Sequence, residues 1–549
     1  MTLTTVFRNG ALFDGYRHRP ATAVVVEDGR ISRLVPEAEI ADVTCDRVVD
    51  LEGGLLAPGF IDAHVHAVQG GLERIRCDLS GATTREQCLD AIGAYAAANP
   101  DLPWILGGGW SMSSFEGGAP TALDLDAVVA DRPVFLPNRD HHGAWVNTRA
   151  LAVAGIGTST PDPPDGRLER DATGRPTGTL HEGAMALVGS FLPPTNPAET
   201  YRGLLAGQAH LHELGITGWQ DAILGAYAGM EDPSPTYLRA AQRGDLTAHV
   251  VGALWWDRER GEEQVSDLVA RRAELTHGRL SATSVKIMQD GVAENGTAAL
   301  SSPYLDRCGH ATHNRGHSFI DADALSRYVS RLHVEGFQVH VHAIGDRGVS
   351  ETLDAFEAAS ALTPRAGHPE PRHHMAHLQL VRPDDIERFA TLGVTANLQM
   401  LWARLDPQMT ELTLPFLGPE RGEWQYPFGD LDRAGADLAA GSDWPVTTPN
   451  PLAAIHVAVN RSTYGASGRE GDEAFLPHQA LSLERAFAAY TSGSARINHR
   501  DDAGSLRPGA VADLVVLDRD PFVGPSEEIG ATRARSTWID GELVATATQ

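Results

Sequence analysis

Gly59-Phe60-Ile61-Asp62-Ala63-His64-Val65-His66 follows the apolar run Leu55-Leu56-Ala57-Pro58, and together they read as a buried strand that ends in two histidines one residue apart. In an extended chain the side chains at i and i+2 share a face, so His64 and His66 converge on one point at the strand's end. Such a point suits a metal ion. A chain with 23 histidines also yields a His-x-His pair by accident, so the meaning of this one depends on what other strand ends supply.

Moving outward, further strands are placed at Gly215 to Gln220, Thr247 to Trp255, Thr283 to Met288, Phe337 to His342, His374 to Leu378, Val394 to Leu398 and Asp437 to Ala440. With Leu55 to Ala63 that makes eight. Helical segments such as Asp323 to Val334 and Asp384 to Leu392 fall between several of them. Alternating strands and helices predict an α/β fold with a parallel sheet, and eight such units predict a (β/α)8 TIM barrel. The span 68–191 is too long for one connection and carries its own strand and turn signals at Trp104 to Gly109, Pro133 to Pro137 and Pro161 to Gly178. It is expected to be a lobe inserted after the first strand, over the C-terminal face of the barrel.

Both ends of the chain read differently. From Val6, short apolar runs alternate with Asn9-Gly10, Asp14-Gly15 and Asp28-Gly29, and the C-terminus repeats the style at Ala512 to Leu517, Ser536 to Ile539 and Leu543-Val544. Such dipeptides between apolar runs are hairpin signals. Residues 1–55 and 500–549 are therefore expected to complete one composite β-sandwich domain, with residues 56–499 forming the barrel.

Composition bounds the partners. A length of 549 residues suits a large domain with at least one satellite, and 42% hydrophobic with 21% charged residues is the profile of a globular chain. No apolar run approaches the roughly 18 residues that span a bilayer, and the first residues lack the basic and apolar blocks of a secretory signal. The expected location is the cytoplasm, with no membrane partner. The formal charge of -27 repels phosphate backbones, so no nucleic acid is expected; the partner is a small-molecule substrate, with a homodimer left open. Cys45, Cys77, Cys88 and Cys308 show no metal or disulfide spacing and read as reduced thiols.

In such a barrel the residues just after the strand ends face one another. They are His64 and His66, Lys286, His340 and His342, His377, and Asp443. Imidazoles with a carboxylate suit a zinc-like divalent ion. His340 and His342 share a strand face; His342 is the favoured ligand and His340 the alternative, a hydrogen-bonded core histidine. Asp443 reads either as a ligand or as a cap for the following segment. Lys286 reads either as one more cation or as a neutral amine that takes up carbon dioxide to give an anionic carbamate able to bridge two ions.

These residues, with Ala57 to His66, Gly107-Gly108-Gly109-Trp110, Lys286 to Gly291, Gly296-Thr297-Ala298, His340 to Asp346, Gly441 to Pro445 and Gly504 to Leu514, resemble the amidohydrolase superfamily. Within it the likeness is to the YtcJ-like, N-substituted formamide deformylase-like branch of the amidohydrolase 3 family. The resemblance implies that His64, His66 and Asp443 hold one metal, His342 and His377 a second, and carbamylated Lys286 bridges them, as in a binuclear zinc centre. It also matches Asp140 to Asn147, where His142 falls on a position expected to face the substrate. Two departures stand out: His141 replaces a usual glycine, and Ala376 replaces a usual glutamate that would support the metal shell.

The expected activity is metal-dependent hydrolysis of a C–N bond in a small acyclic amide of N-formyl or N-acyl type, through a metal-activated hydroxide. Asp443 would take the water's proton and pass it to the leaving nitrogen. His142, Trp110 and His310 are the candidate substrate contacts. Three other readings remain: hydrolysis of a cyclic amide or ester, a single-metal enzyme with unmodified Lys286, and an inactive binding protein on the same fold.

Overall fold

The computed structural model describes residues 3–19, 22–227, 230–466 and 472–546. Met1, Thr2, Pro20, Ala21 and residues 547–549, which the expected terminal β domain includes, lie outside the described residues.

Eight parallel strands form the central sheet: β1 (Phe60–Val65), β2 (Ile216–Leu224), β3 (His249–Trp255), β4 (Leu280–Met288), β5 (Gln338–Ala343), β6 (His374–His377), β7 (Thr395–Leu398) and β8 (Leu438–Ala440). Each pairs with its sequence neighbour, so the order around the sheet is the order in the chain. All eight expected strands are present, and helices such as Ala322–Val334 and Pro383–Leu392 cover the outside. Their starts obey local rules: Asp321 caps the first of these through its carboxylate, and Pro383 takes the first turn of the second, where a missing N–H costs nothing.

One expected strand is in fact two. Leu55–Pro58 pairs with Ala11–Leu12 and with Leu514–Leu517, while the barrel begins only at Phe60. The break is at Gly59, where a Cβ would lie 2.2 Å from the Thr217 side chain. A side chain there would push β1 off β2, so glycine lets the chain leave one sheet and enter the next.

Among the described residues no regular ladder joins β1 to β8. The seam is closed instead at its upper end: Asp443 N–H donates to His64 O at 2.7 Å and His66 N–H donates to Trp444 O at 2.8 Å. The Asp62 carboxylate accepts the Ser442 N–H at 3.0 Å and the His64 N–H at 3.1 Å.

The barrel floor is polar yet largely satisfied. Gln220 donates to Gln338 Oε1 and to Asn498 Oδ1, each at 3.0 Å, and Gln338 donates to Ile497 O at 2.6 Å. His374 bonds Gln220 Oε1 at 3.0 Å, and the His340 ring packs over His374 at 4.1 Å. Buried polar groups that are paired in this way hold one another in single positions, giving a rigid base for what lies above.

The terminal segments build two sheets. One has the order Arg30–Pro36, Thr22–Glu27, Thr4–Arg8, Arg47–Asp50; the other runs Glu542–Thr546, Ala534–Ile539, Leu514–Leu517, Leu55–Pro58, Ala11–Phe13, His18–Arg19. Phe7 of the first meets Trp538 of the second edge to face at 5.2 Å, and both belong to one buried cluster. Residues 77–182 contribute a separate six-stranded sheet with its own core around Cys88, Ile92, Trp110 and Trp145. The helices entering and leaving this lobe, Ala67–Ile75 and Pro197–Glu213, pack closely enough that a Cβ at Gly71 would sit 1.8 Å from Gly203 O.

Candidate active site

The strand ends surround a cavity of about 440 Å³ whose lining includes His64, His66, Lys286, His342, His377 and Asp443. The β1–β8 seam supplies one half. His64 Nε2 and His66 Nε2 lie 3.1 and 3.0 Å from Asp443 Oδ1, and the three donor atoms are within 4.8 Å of one another. The other carboxylate oxygen of Asp443 faces His377 Nδ1 at 3.9 Å. His377 packs against His342 with ring centroids 4.3 Å apart and stacks on Trp402 at 5.4 Å.

Charge states follow from burial. Burial drives the His64 pKa down to about 3, with the Lys286 charge adding to the effect, and His342 and His377 are lowered for the same first reason. All three are neutral imidazoles, the form that ligates metals. Burial would raise Asp443, but the hydrogen bonds that His64 and His66 donate to it hold it well below the usual carboxylate range. Burial lowers Lys286 to about 7 although Asp443 opposes it, so a large share of its amine is neutral at neutral pH.

The donor set fits a divalent cation. Both ring nitrogens of His377 and Nδ1 of His342 are buried with no hydrogen-bond partner among the described residues, an arrangement that costs free energy unless something occupies the space beside them. Asp290 Oδ1 is 3.3 Å from His342 Nδ1 but poorly aligned to bond it. Asp290 is itself fixed by the N–H groups of Ile344, Gly345 and Ala299 at 2.9, 2.7 and 2.9 Å. Ala376 is buried and adds no polar atom beside His377; Asp290 is the carboxylate on this side. His340 does not line the cavity. Its Nε2 bonds His64 Nδ1 at 2.8 Å, orienting the imidazole from behind.

His142 reaches the cavity from the lobe. Its Nδ1 lies 3.0 Å from both oxygens of Glu182, which also accepts the Thr297 hydroxyl at 2.8 Å. Burial alone would lower His142, yet the Glu182 and Asp140 carboxylates bring it up to about 9. His142 is therefore an imidazolium at neutral pH. His141 adopts φ 62, a left-handed backbone in which glycine is free of strain and histidine is not. The expected glycine suits this turn. The imidazole present instead bonds Gln69 at 2.6 Å and lies 3.2 Å from Glu73.

Two candidate contacts are corrected. Trp110 is buried in the lobe core, where its indole N–H donates to Leu136 O at 2.8 Å and its ring meets Phe115 and Trp145. It lines none of the cavities around the strand ends and is a packing residue. His310 is 80% exposed beside Asp306 and lines none of the cavities at the strand ends. Sequence reasoning in turn missed Glu182, Gln69, Glu73, Tyr227 and Met230. Asp290 was missed as well although it stands inside the Lys286 to Gly291 motif; the other five have no periodicity or spacing to mark them.

The central cavity opens on a larger apolar cleft of about 1110 Å³, sharing His66, Gln69, His141, Ile223, Tyr227 and Met230 with it and extending to Leu72, Leu106, Phe135, Met185 and Leu192. Among the described residues no helix is long and apolar enough to cross a membrane.

Comparison with known proteins agrees with this architecture. The chain is 30% identical over 511 residues to "Putative amidohydrolase YtcJ" of Bacillus subtilis (strain 168), covering 90% of each chain. It is 28% identical over 549 residues to "N-substituted formamide deformylase" of Arthrobacter pascens, covering 96% of this chain and 95% of that one. An uncharacterized metal-dependent hydrolase from Pyrococcus horikoshii OT3 superposes with a TM-score of 0.72 at 26% identity, covering 95% and 99% of the two chains. The amidohydrolase family itself matches residues 47–545. That match takes in the whole barrel and the lobe, and on it the chain belongs to the amidohydrolase family.

Proposed function

We propose that the protein is a metal-dependent hydrolase that cleaves a C–N bond of a small acyclic amide, of N-formyl or N-acyl type. The observation that carries this reading is the meeting of His64, His66 and Asp443 across the barrel seam, opposite buried and unpartnered nitrogens of His342 and His377. His64, His66 and Asp443 would hold one divalent ion and His342 and His377 a second, with Lys286 able to add a ligand oxygen as its carbamate; zinc suits these ligands. When bound, such ions lower the pKa of water and polarise a carbonyl oxygen.

The chain's own groups do the rest. Asp443 remains anionic, accepts a proton from the attacking water and returns it to the departing nitrogen. His142, held cationic by Glu182 through Nδ1, has Nε2 left to donate toward the oxygen on which negative charge grows. The apolar cleft beside His66 and His141 takes the larger substituent of the amide and keeps bulk water from it.

The test is metal analysis of protein purified without chelator, followed by a panel of N-formyl, N-acyl and cyclic amides, with Lys286→Ala as the blank. About two ions per chain and turnover of an acyclic amide are expected. Near-zero metal, or turnover confined to cyclic amides or esters, refutes the reading.

A further inference from the structure

The turn between Val134–Pro137 and Gly143–Val146 carries Asn138-Arg139-Asp140-His141-His142. Its shape is set locally: Asn138 Oδ1 accepts the Gly143 N–H at 3.0 Å, Asp140 Oδ1 accepts the His142 N–H at 2.9 Å, and His141 is left-handed. Successive side chains consequently go to different places. His141 lines the apolar cleft, Asp140 and His142 line the central cavity, and Arg139 lines a third recess of about 670 Å³. This recess shares Asp140 and Val446 with the central cavity, so the two lie side by side.

Arg139 has Asp406 and Asp140 as its opposing charges in the recess, yet neither touches it. Its half-buried guanidinium makes no hydrogen bond or ion pair among the described residues. The neighbouring charges are already engaged: Arg404 lies 3.7 Å from Asp406, Asp406 also accepts the Met409 N–H at 2.9 Å, and Glu294 accepts the Thr413 hydroxyl at 3.1 Å. Burial, helped by Asp140 and Asp406, pushes Glu294 up to about 7, which reduces its negative charge. Burial lowers Arg139 too, but a guanidinium keeps its proton in proteins. A planar fork of N–H donors without an acceptor matches a carboxylate bidentately.

We propose that Arg139 binds a carboxylate of the substrate, making the substrate class an amide with an apolar group on one half and a carboxylate on the other. The proposal rests on the amide-hydrolase reading for its chemistry, while the binding geometry stands without it. The scissile bond lies at the central cavity, the apolar half beside His141 and Tyr227, and the carboxylate half past Val446 at Arg139.

The experiment compares two probes with their carboxamide isosteres on metal-replete protein: N-(phenylacetyl)glycine, with the carboxylate on the amine half, and N-benzylsuccinamic acid, with it on the acyl half. Turnover and calorimetric binding are both measured for wild type, Arg139→Gln and Arg139→Lys. At least one carboxylate probe is expected to beat its carboxamide by about ten- to a hundredfold in kcat/KM, mostly through KM. That ratio should collapse in Arg139→Gln and return in part in Arg139→Lys. A merely structural arginine would lower both members of a pair alike and leave the ratio intact, which overturns the proposal, as does a wild type that binds neither acid selectively. Selective, Arg139-dependent binding without turnover sustains the carboxylate site and refutes the amide-hydrolase reading; turnover without carboxylate preference does the reverse.

Discussion

Replacing Glu182 with glutamine should uncouple His142 from its charge. In the native protein the ring lies 3.0 Å from both carboxylate oxygens and its pKa stands at about 9 instead of the ordinary 6.5. At about 1.4 kcal/mol per pH unit this rise corresponds to on the order of 3 kcal/mol favouring the imidazolium. Glutamine keeps acceptors for Thr297 and for Nδ1–H but removes the charge, leaving Asp140 and Asp443 to oppose burial. His142 is then expected to fall to neutral below pH 7. Because the native folded pKa lies above the unfolded one, its stabilisation is complete below pH 6.5 and is lost as pH rises through about 9. The lowered Glu182 carboxyl acts at the other end, stabilising above its ordinary pKa of 4.5 and losing that contribution as pH falls. Urea unfolding of chelator-treated wild type and Glu182→Gln from pH 5 to 10 should therefore show the largest gap between about 5 and 6.5, narrowing by several kcal/mol toward pH 10. A gap that stays flat, or that widens with pH, would refute the charge assignment.

Asp443→Asn should retain bound metal while lowering kcat by about a hundredfold or more, read by metal analysis and steady-state kinetics. His340→Phe removes the 2.8 Å bond behind His64 and is expected to weaken metal affinity about ten- to a hundredfold in a chelator competition. Trp110→Ala should cost about 3–5 kcal/mol in unfolding measurements through loss of lobe packing. His310→Ala, in contrast, should leave kcat/KM at the wild-type value, and a large drop would reinstate it as a substrate contact.

The barrel half of the site was legible because a fold rule does the assembling. Once eight strands are read in order, their C-terminal ends must converge, which brings His64, His66, Lys286, His340, His342, His377 and Asp443 together as candidates; the family resemblance then separates His340 from the rest. The lobe obeys no such rule. Glu182 lies 40 residues from His142 and reaches it only because Gly143–Val146 and Pro176–Glu182 are ladder partners, a pairing that alternation alone does not specify. Trp110 was misread for the complementary reason. An aromatic beside a glycine run fits a substrate wall and a core equally well, and its indole had a backbone acceptor inside the lobe. His141 shows a subtler limit: nothing in the sequence marks its backbone as left-handed, so an imidazole standing where glycine is the easier choice is visible only in the fold.

The seam between β1 and β8 also bears on how the chain is made. His66 and Asp443, which touch at 3.0 Å, are 377 residues apart. During synthesis the histidine pair emerges with the first barrel strand and waits for its carboxylate until the last one is out. The cluster is consequently a marker of completed folding: a chain stopped before Asp443 has most of the barrel but lacks the clasp that closes it. Contacts of such sequence separation are slow to form, so capture of a cation at this clasp would report, in a refolding experiment, the moment at which the ring shuts.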